Sequence, residues 1–407
     1  MHSVTVRRPE GPVRARIALP RSKSVANRAL VLAALAGDLA CVQDPGDAED
    51  TRLLAQLLRE RPFVMHCGLG GTTFRFLLAW ACVQEGEEHV ITGAAGLLER
   101  PHQPLIEALR HLGAAIDRTD AGYRVRGKRL AGGTITFDSP ISSQYLSALM
   151  LVAPRMAEGL RIEWTGTQLS RPYVGMTVRA LRVFGIAAEV DAGTITVPPG
   201  TLMGVPFSVP RDWSAAAFWF EVVALAHDAE VVLEDLRADG WQGDERITEF
   251  MRGLVHAEAG SDGLRLSKAW DGVDSLRFEL DGTPDLFQPL VFTWVNFDAR
   301  MAFDGLHNLS RKETDRTSAV AEVLKELGIA SSFSQGQFRV LSHEPPVPIA
   351  GHAFHTYKDH RMAMALAPLA LAFGEITLLD PDVVGKSYPG FWEDLRKAGF
   401  SVVFNNG

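Results

Sequence analysis

The sequence predicts a two-domain α/β protein assembled from six similar units, three to a domain. Three observations carry this. Six segments open on small polar or charged residues and then run apolar nearly all round, the pattern of helices buried inside a domain. Six others are amphipathic at the helical period, and the two kinds alternate along the chain. Between them lie short runs with the alternating pattern of half-buried strands.

In chain order the buried-helix segments are "SKSVANRALVLAALAG", "GGTTFRFLLAWACV", "SSQYLSALMLVAP", "RDWSAAAFWFEVVAL", "PDLFQPLVFTWV" and "KDHRMAMALAPLAL". With Ser24, Thr72, Ser142, Asp212, Asp285 and Lys358 as their starts, the intervals are 48, 70, 70, 73 and 73 residues. The amphipathic helices are "DTRLLAQLLRE", "PLIEALRHLG", "MTVRALRVFG", "ITEFMRGLV", "SAVAEVLKELG" and "GFWEDLRKAGF". Several end in glycine, which supplies the left-handed stop. Strands are expected in "GTITFDS", "LRIEWTG", "AAEVDAGTITV", "EVVLEDL", "LRFELDG" and "QFRVLS". Each unit then holds two helices and up to four strands. The first is shorter by about one hairpin, because after "LLAQLLRERP" there is room only for "FVMHCG". Six units exceed one ordinary core, so three per domain is the natural division, with "GVPFSVPRD" as a crossing. Pro368 falls inside "HRMAMALAPLAL" and is expected to kink that helix near Met364.

The 407 residues are 46% hydrophobic and 22% charged with a net charge of −8, an ordinary globular balance that disfavours nucleic acid or an anionic membrane as partner. Cys41, Cys67 and Cys82 lack C-x-x-C spacing, which points away from zinc and disulfides and toward a reducing, cytoplasmic setting. The N-terminus has no apolar run after its basic residues, so no secretory signal is expected, and the apolar stretches are too short or interrupted for a membrane span.

The buried helices begin with "RSKS", "GLGGTT", "SSQ", "RDWS", "TPD" and "YKDHR". A helix N-terminus presents unpaired N–H groups and partial positive charge, which suit phosphate and carboxylate. Any one of these polar residues reads most simply as an N-cap. Their repetition beside Lys23, Arg28, Arg75 and Arg361 points instead to anion binding. "GLGGTT" lacks the lysine of a P-loop and the third glycine of a dinucleotide fingerprint. His352, His355 and His360 fit no common ligand spacing, so no metal is expected. The segment "SRKETDRTSAVAEVLKELG" is an ordinary helix from Ser318, but Arg311, Lys312, Glu313, Asp315 and Arg316 crowd its start. Arg316 is unfavourable there unless an anion offsets it, and Asp315 suits a helix-start charge or a partner for one arginine.

Taken in order, "LPRSKSVANRALVLAALAG", "SSQYLSALMLVAP", "SRPY", "TPD", "RKETDR", "YKDHRMAMALA" and "VVGKSYPGFWEDL" resemble the motif series of the EPSP synthase (3-phosphoshikimate 1-carboxyvinyltransferase) family. The resemblance covers nearly the whole chain, and "KETDR" followed by "DHRMAM" is its most specific part. It implies an inside-out α/β barrel with three βαβαββ units per domain, the first shortened here, and an N-terminal strand that returns to the C-terminal half. The domains would be residues 1–19 with 211–407, and residues 20–210, with the active site in the cleft between them. It implies transfer of the enolpyruvyl group of phosphoenolpyruvate to the 5-hydroxyl of shikimate 3-phosphate. The enzyme would be a cytoplasmic monomer acting on these two small molecules, without cofactor, metal, nucleic acid or membrane.

By the same resemblance, shikimate 3-phosphate would meet Lys23, Ser24, Arg28, Ser142, Ser143, Gln144, Ser170, Tyr173, Asp285, Asn308 and Lys312. Phosphoenolpyruvate would meet Lys23, Gly71, Thr72, Arg100, Gln144, Arg316, Arg361 and Lys386. Both substrates carry a phosphate and a carboxylate, so a concentration of lysine and arginine is what they need. Only Asp285 and Glu313 stand against these cations. The hydroxyl adds to C2 while C3 gains a proton, and the tetrahedral adduct then loses phosphate. Asp285 is the expected base, Glu313 the expected acid for the methylene, and Lys23 a helper of the departing phosphate. A donor carboxyl needs a raised pKa, which burial favours and the cations oppose. The family's glycine loop usually reads G-N-A-G-T; here it reads "GLGGT", and Leu69 cannot donate the hydrogen bond of an asparagine. Two other readings are weighed. A UDP-N-acetylglucosamine enolpyruvyl transferase would carry a catalytic cysteine in the loop matching "LLERPHQPL", but no cysteine follows Cys82. A non-catalytic binder of phosphorylated metabolites has no need to keep both Asp285 and Glu313.

Overall fold

A helix apolar on every side must be surrounded, and the architecture follows from surrounding six of them with sheets and amphipathic helices. The structure is a computed structural model describing residues 2–137, 142–165, 171–191, 193–270, 275–297, 300–341, 346–347 and 351–405. The chain divides into two units, Met1–Pro20 with Arg211–Gly407, and Arg21–Pro210. Pro20 falls with the first unit, one residue from the expected boundary, because its carbonyl accepts from Asp212 N at 3.0 Å; Ser22 N in turn donates to Pro210 O at 2.8 Å within the second unit.

One pairing scheme recurs. In the first unit, Ser275–Glu279 runs parallel to Arg300–Asp304, joined through the buried helix Phe287–Trp294. After the amphipathic helix Arg316–Glu326 comes the hairpin Ser331–Ser334/Gln337–Val340, whose second strand lies antiparallel to Arg300–Asp304. The same order holds for the sheet of Val13–Ile17, Ala229–Glu234, Val255–Gly260 and Gly263–Lys268, with the whole second unit inserted between its parallel strands. In the third sheet the N-terminal strand Ser3–Arg7 sits between Glu375–Leu379 and Ser401–Asn405. Helices Trp213–Leu225, Phe287–Trp294 and His360–Leu366 pack together at the centre, among stacked rings such as Phe278 and Phe303, 4.9 Å apart.

The second unit has two such four-stranded sheets around helices Lys23–Ala36, Gly71–Cys82 and Ser143–Val152. Among the described residues its remaining sheet has two strands, Val42–Gln43 parallel to Phe207–Ser208. The missing hairpin belongs here. "FVMHCG" does not fill it, because its strand Val64–His66 pairs with Glu88–Thr92 and opens the next sheet. Among the described residues no helix is long and apolar enough to cross a membrane.

The helix starts differ slightly from those expected. Ser22 caps the first buried helix, accepting from Val25 N, so Ser24 lies inside the first turn; Thr72 likewise lies inside a helix that begins at Gly71. Ser142 and Asp212 are N-caps, and Asp359 rather than Lys358 caps His360–Leu366. Asp285 sits in a 3-10 turn, Pro284–Leu286, ahead of its helix. Pro368 breaks its helix after Leu366, where Ala367–Leu369 becomes 3-10, rather than near Met364. Its ring can neither donate to nor pack against the Met364 carbonyl four residues back.

Candidate active site

In the first unit the 3-10 turn bearing Asp285, the approach to helix Arg316–Glu326 and the start of His360–Leu366 gather one charged cluster. Asp285 Oδ1 accepts from Arg316 Nη1 at 2.8 Å, and its Oδ2 faces Arg361 Nη2 at 3.0 Å. Lys312 Nζ lies 3.8 Å from Oδ1. Arg316 Nε bonds Asp359 Oδ2 at 2.8 Å, and the fully buried Asp359 also caps the next helix through Arg361 N at 2.9 Å. One carboxylate thus orients the Arg316 guanidinium and caps the helix that carries Arg361. Glu313 is held between Lys386 Nζ on Oε1 and His360 Nδ1 on Oε2, each at 2.9 Å. A carboxylate only accepts, so His360 Nδ1 carries the hydrogen. Asn308 precedes the short turn Leu309–Arg311 beside this cluster.

The electrostatics revise two expectations. Burial pushes the Glu313 carboxyl up, but His360, Lys386 and Arg316 outweigh it and hold Glu313 well below the ordinary carboxylate range. Glu313 is therefore ionised in this state rather than a ready donor. Arg316 is charged despite its burial, because Asp359, Asp285 and Glu313 together outweigh desolvation. Burial lowers Lys312, with Asp285 opposing and Arg316 and Arg361 reinforcing. Asp315 is the cap of helix Arg316–Glu326, accepting from Ser318 N at 3.1 Å and Thr317 Oγ1 at 2.7 Å. The anions that offset Arg316 are Asp285 and Asp359 instead.

Glu313, Asp359 and His360 bring three ligand-type atoms within 4.8 Å of one another. With Arg316 and Lys386 already on the two carboxylates, a further cation is electrostatically disfavoured there. His352 pairs with Glu326 at 3.1 Å, and the His355 ring lies against Tyr357, so the three histidines of "HAFHTYKDH" have separate partners.

The second unit gathers polar contacts at the starts of its buried helices. Lys23 Nζ meets Asp50 Oδ2 at 3.1 Å. A Cβ on Gly70 would fall 3.1 Å from Asp50 Oδ1 and 2.9 Å from Thr73 Oγ1, so the glycine loop needs this glycine to approach Asp50. A Cβ on Gly71 would fall 3.0 Å from both Arg75 Nη1 and Arg100 Nη1. Two guanidiniums therefore converge on one backbone position. Arg75 also donates to Gln144 Oε1 and lies over the Tyr145 ring. Tyr145 OH donates to Pro101 O, which pins the loop bearing Arg100. Burial first, and then Arg75 and Arg100, lower His102 to about 4. Ser142 accepts from Gln144 N, and Ser143 is buried in the first turn of that helix.

Arg28 lies deeper than expected for a substrate contact. It is 2% exposed and donates to Thr177 Oγ1, Ser24 O, Ser147 Oγ and Tyr173 O, cross-linking three helices. Burial lowers it to about 10, still charged at neutral pH. Ser170 lies outside the described residues. Sequence reasoning missed Asp50 and Asp359 as members of the site, and it weighed His360 only as a metal ligand and Arg75 only as one of the cations beside the helix starts. It also missed a buried polar group at the start of Trp213–Leu225, formed by Asp212, Ser214, Gln242 and Asp244. The one available signal was Asp359, the acidic residue beside Arg361 in the helix start "YKDHR".

The fold matches the EPSP synthase of Acinetobacter baumannii with a TM-score of 0.78, at 22% identity over all of both chains. It matches the enolpyruvyl transferase NikO of Streptomyces tendae with a TM-score of 0.73, at 16% identity over 100% of this chain and 99% of that one. The architecture is that of the enolpyruvyl transferases. Sequence narrows the class. The family model for EPSP synthase (3-phosphoshikimate 1-carboxyvinyltransferase) matches residues 7–61 and 60–395. A 3-phosphoshikimate 1-carboxyvinyltransferase of Bacteroides fragilis is 38% identical over 396 residues, 96% of each chain. One of Methanoculleus marisnigri is 31% identical over 420 residues, 96% of this chain and 98% of its own. The chain belongs to the EPSP synthase family.

Proposed function

We propose that this chain transfers the enolpyruvyl group of phosphoenolpyruvate to the 5-hydroxyl of shikimate 3-phosphate, releasing phosphate. The observation that carries the assignment of roles is the convergence of Lys312, Arg316, Arg361 and Lys386 on Asp285 and Glu313. Such a cluster suits two polyanions and keeps two carboxylates beside the reacting carbons.

Asp285 takes the proton of the attacking hydroxyl as oxygen adds to C2. Arg316 and Arg361 anchor the phosphoenolpyruvate carboxylate, with Lys386, Lys23, Arg100 and Gly71 toward its phosphate. Ser142, Ser143 and Ser170 receive the shikimate phosphate, with Gln144, Tyr173, Asn308 and Lys312 around the ring. Ser24 and Thr72 line the first turns of their helices, and Arg28 acts chiefly by holding Ser24 and Tyr173 in place. Glu313 delivers the proton to C3, although it is ionised before substrate binds. The substrate's anionic groups draw on Lys386 and Arg316, and a buried carboxyl that loses those cations rises in pKa. The proton comes from solvent, and His360 Nδ1–H keeps its hydrogen bond to Glu313 Oε2. In the second step the adduct gives back a C3 proton to Glu313 as phosphate departs, with Lys23 on the leaving group.

A cytoplasmic monomer fits this reading, with three buried free thiols suited to a reducing compartment. The test is phosphate release with both substrates and with each omitted in turn. Release that needs both supports the transferase. Binding without release would favour the non-catalytic reading, and turnover of UDP-N-acetylglucosamine the sister reaction.

A further inference from the structure

The loop that carries Arg100 is tied down by two side chains with no part in the reaction as outlined. Leu97 O accepts from Arg100 N at 3.2 Å and from His102 Nε2 at 2.8 Å. A carbonyl only accepts, so the His102 hydrogen sits on Nε2. His102 occupies the N-cap of helix Gln103–His111, where a serine or aspartate would turn forward onto the helix. Its side chain makes no cap bond and reaches back to Leu97 instead. The ring is 1% exposed and lies 4.3 Å from the ring of Phe74, on the helix that opens at Gly71. On the other side of Arg100, Pro101 O accepts from Tyr145 OH, and the Tyr145 ring lies 5.1 Å from the Arg75 guanidinium carbon. Proline also restricts the residue before it to extended backbone. Arg100 is thus bracketed by fixed points at Leu97, Pro101 and His102. Its Nη1 comes, with that of Arg75, to 3.0 Å from where a Gly71 Cβ would stand.

We infer that His102, together with Tyr145, is a positioning residue for Arg100: the two side chains fix the loop so that the guanidinium stands beside the Gly71 backbone before phosphoenolpyruvate arrives. An arginine on a free loop loses conformational entropy on binding, whereas one already set in place loses less. Protonation does not disturb the clamp. His102 Nδ1 has no hydrogen-bond partner among the described residues, and a proton there would meet the repulsion of Arg75 and Arg100. Burial and then Arg75 accordingly lower the ring to about 4, with the Leu97 bond opposing and Arg100 and Arg118 adding to the fall. The neutral ring, with its hydrogen on Nε2, is the form present at working pH.

The inference rests on the contact proposed between Arg100 and phosphoenolpyruvate, and a double-mutant cycle separates the two. KM for phosphoenolpyruvate is measured at saturating shikimate 3-phosphate in wild type, Arg100→Met, His102→Leu, His102→Gln and the variant carrying both Arg100→Met and His102→Leu. Calorimetry gives the affinity of each for shikimate 3-phosphate alone. His102→Leu raises KM about tenfold, because the loop loses its side-chain bond. It leaves shikimate 3-phosphate affinity within about twofold of wild type. In His102→Gln an amide N–H replaces the lost donor, and KM returns to within about threefold of wild type. In the Arg100→Met background His102→Leu adds less than about twofold. An unchanged KM in Arg100→Met rejects the Arg100 contact, and the inference with it. A raised KM in Arg100→Met beside an unchanged KM in His102→Leu rejects the positioning role alone. So does an equal rise from His102→Leu in both backgrounds, or a His102→Gln variant as impaired as His102→Leu. If melting shows that His102→Leu does not fold, Tyr145→Phe, which keeps the ring over Arg75, takes its place in the cycle with the same expected rise and the same refuting results.

Discussion

Replacing Lys386 by methionine keeps most of the side-chain stem and removes one of the two cationic partners of Glu313. The ammonium lies 2.9 Å from Glu313 Oε1, and both side chains are only 14% exposed. Removing one partner of a buried pair costs about 3–5 kcal/mol, because the other charge stays buried. The retained His360 bond puts this case at the low end, about 3 kcal/mol. For a unit of this size that is a fall in Tm of roughly 6–12 °C. The loss depends on pH. Glu313 is depressed in the folded protein, so its contribution is present above the unfolded carboxylate value and disappears as pH falls through the folded one. Without Lys386 the folded carboxyl takes up a proton sooner and escapes the penalty. Thermal melts of wild type and Lys386→Met near pH 7.5 and near pH 4 should therefore show a deficit that shrinks in acid. A neutral-pH loss below about 1 kcal/mol would refute the reasoning, as would an equal deficit at both values. The same variant raises KM for phosphoenolpyruvate.

Glu221 is fully buried in helix Trp213–Leu225, and neither carboxyl oxygen has a hydrogen-bond partner among the described residues. Burial raises it well above the ordinary range, so the fold loses stability from the unfolded carboxylate pKa upward. Glu221→Gln should gain over wild type by up to about 1.4 kcal/mol per pH unit in that window, and a pH-independent difference in Tm counts against it. Gly71→Ala places a methyl against Arg75 and Arg100, so KM for phosphoenolpyruvate should rise about tenfold or more; an unchanged KM would show that the two guanidiniums give way freely. Phosphoenolpyruvate binding should take up protons as Glu313 loses its cations, read by calorimetry in buffers of different ionisation enthalpy. Identical heats in the two buffers would contradict it.

The repeat was legible because all-round apolarity and amphipathicity are properties of single helices, readable without partners. "SKSVANRALVLAALAG" and "RDWSAAAFWFEVVAL" declare burial whatever surrounds them. The shortened first repeat was legible from chain length alone, but where its strands pair was not. Val42–Gln43 meets Phe207–Ser208, more than a hundred and sixty residues later, and no local pattern marks a two-residue strand. The cations of the site were legible from motif resemblance. The acids that aim them were harder to see. Asp359 looked like a helix-start residue, and it is one, but its second oxygen also holds Arg316. Asp50 sits on an amphipathic helix, where an acid in the first turn is ordinary. The ionised state of Glu313 depends on His360 and Lys386, from distant segments, as well as on nearby Arg316, so the sequence could pose the contest between burial and charge without deciding it.

The central claim is that Glu313 moves the proton at C3 while the surrounding cations hold substrate. Steady-state turnover of Glu313→Gln, measured beside phosphoenolpyruvate affinity by calorimetry, tests it most directly. The account predicts kcat lower by about 10²–10⁴-fold with affinity changed by no more than about threefold. A variant whose kcat stays within about threefold of wild type would contradict the account.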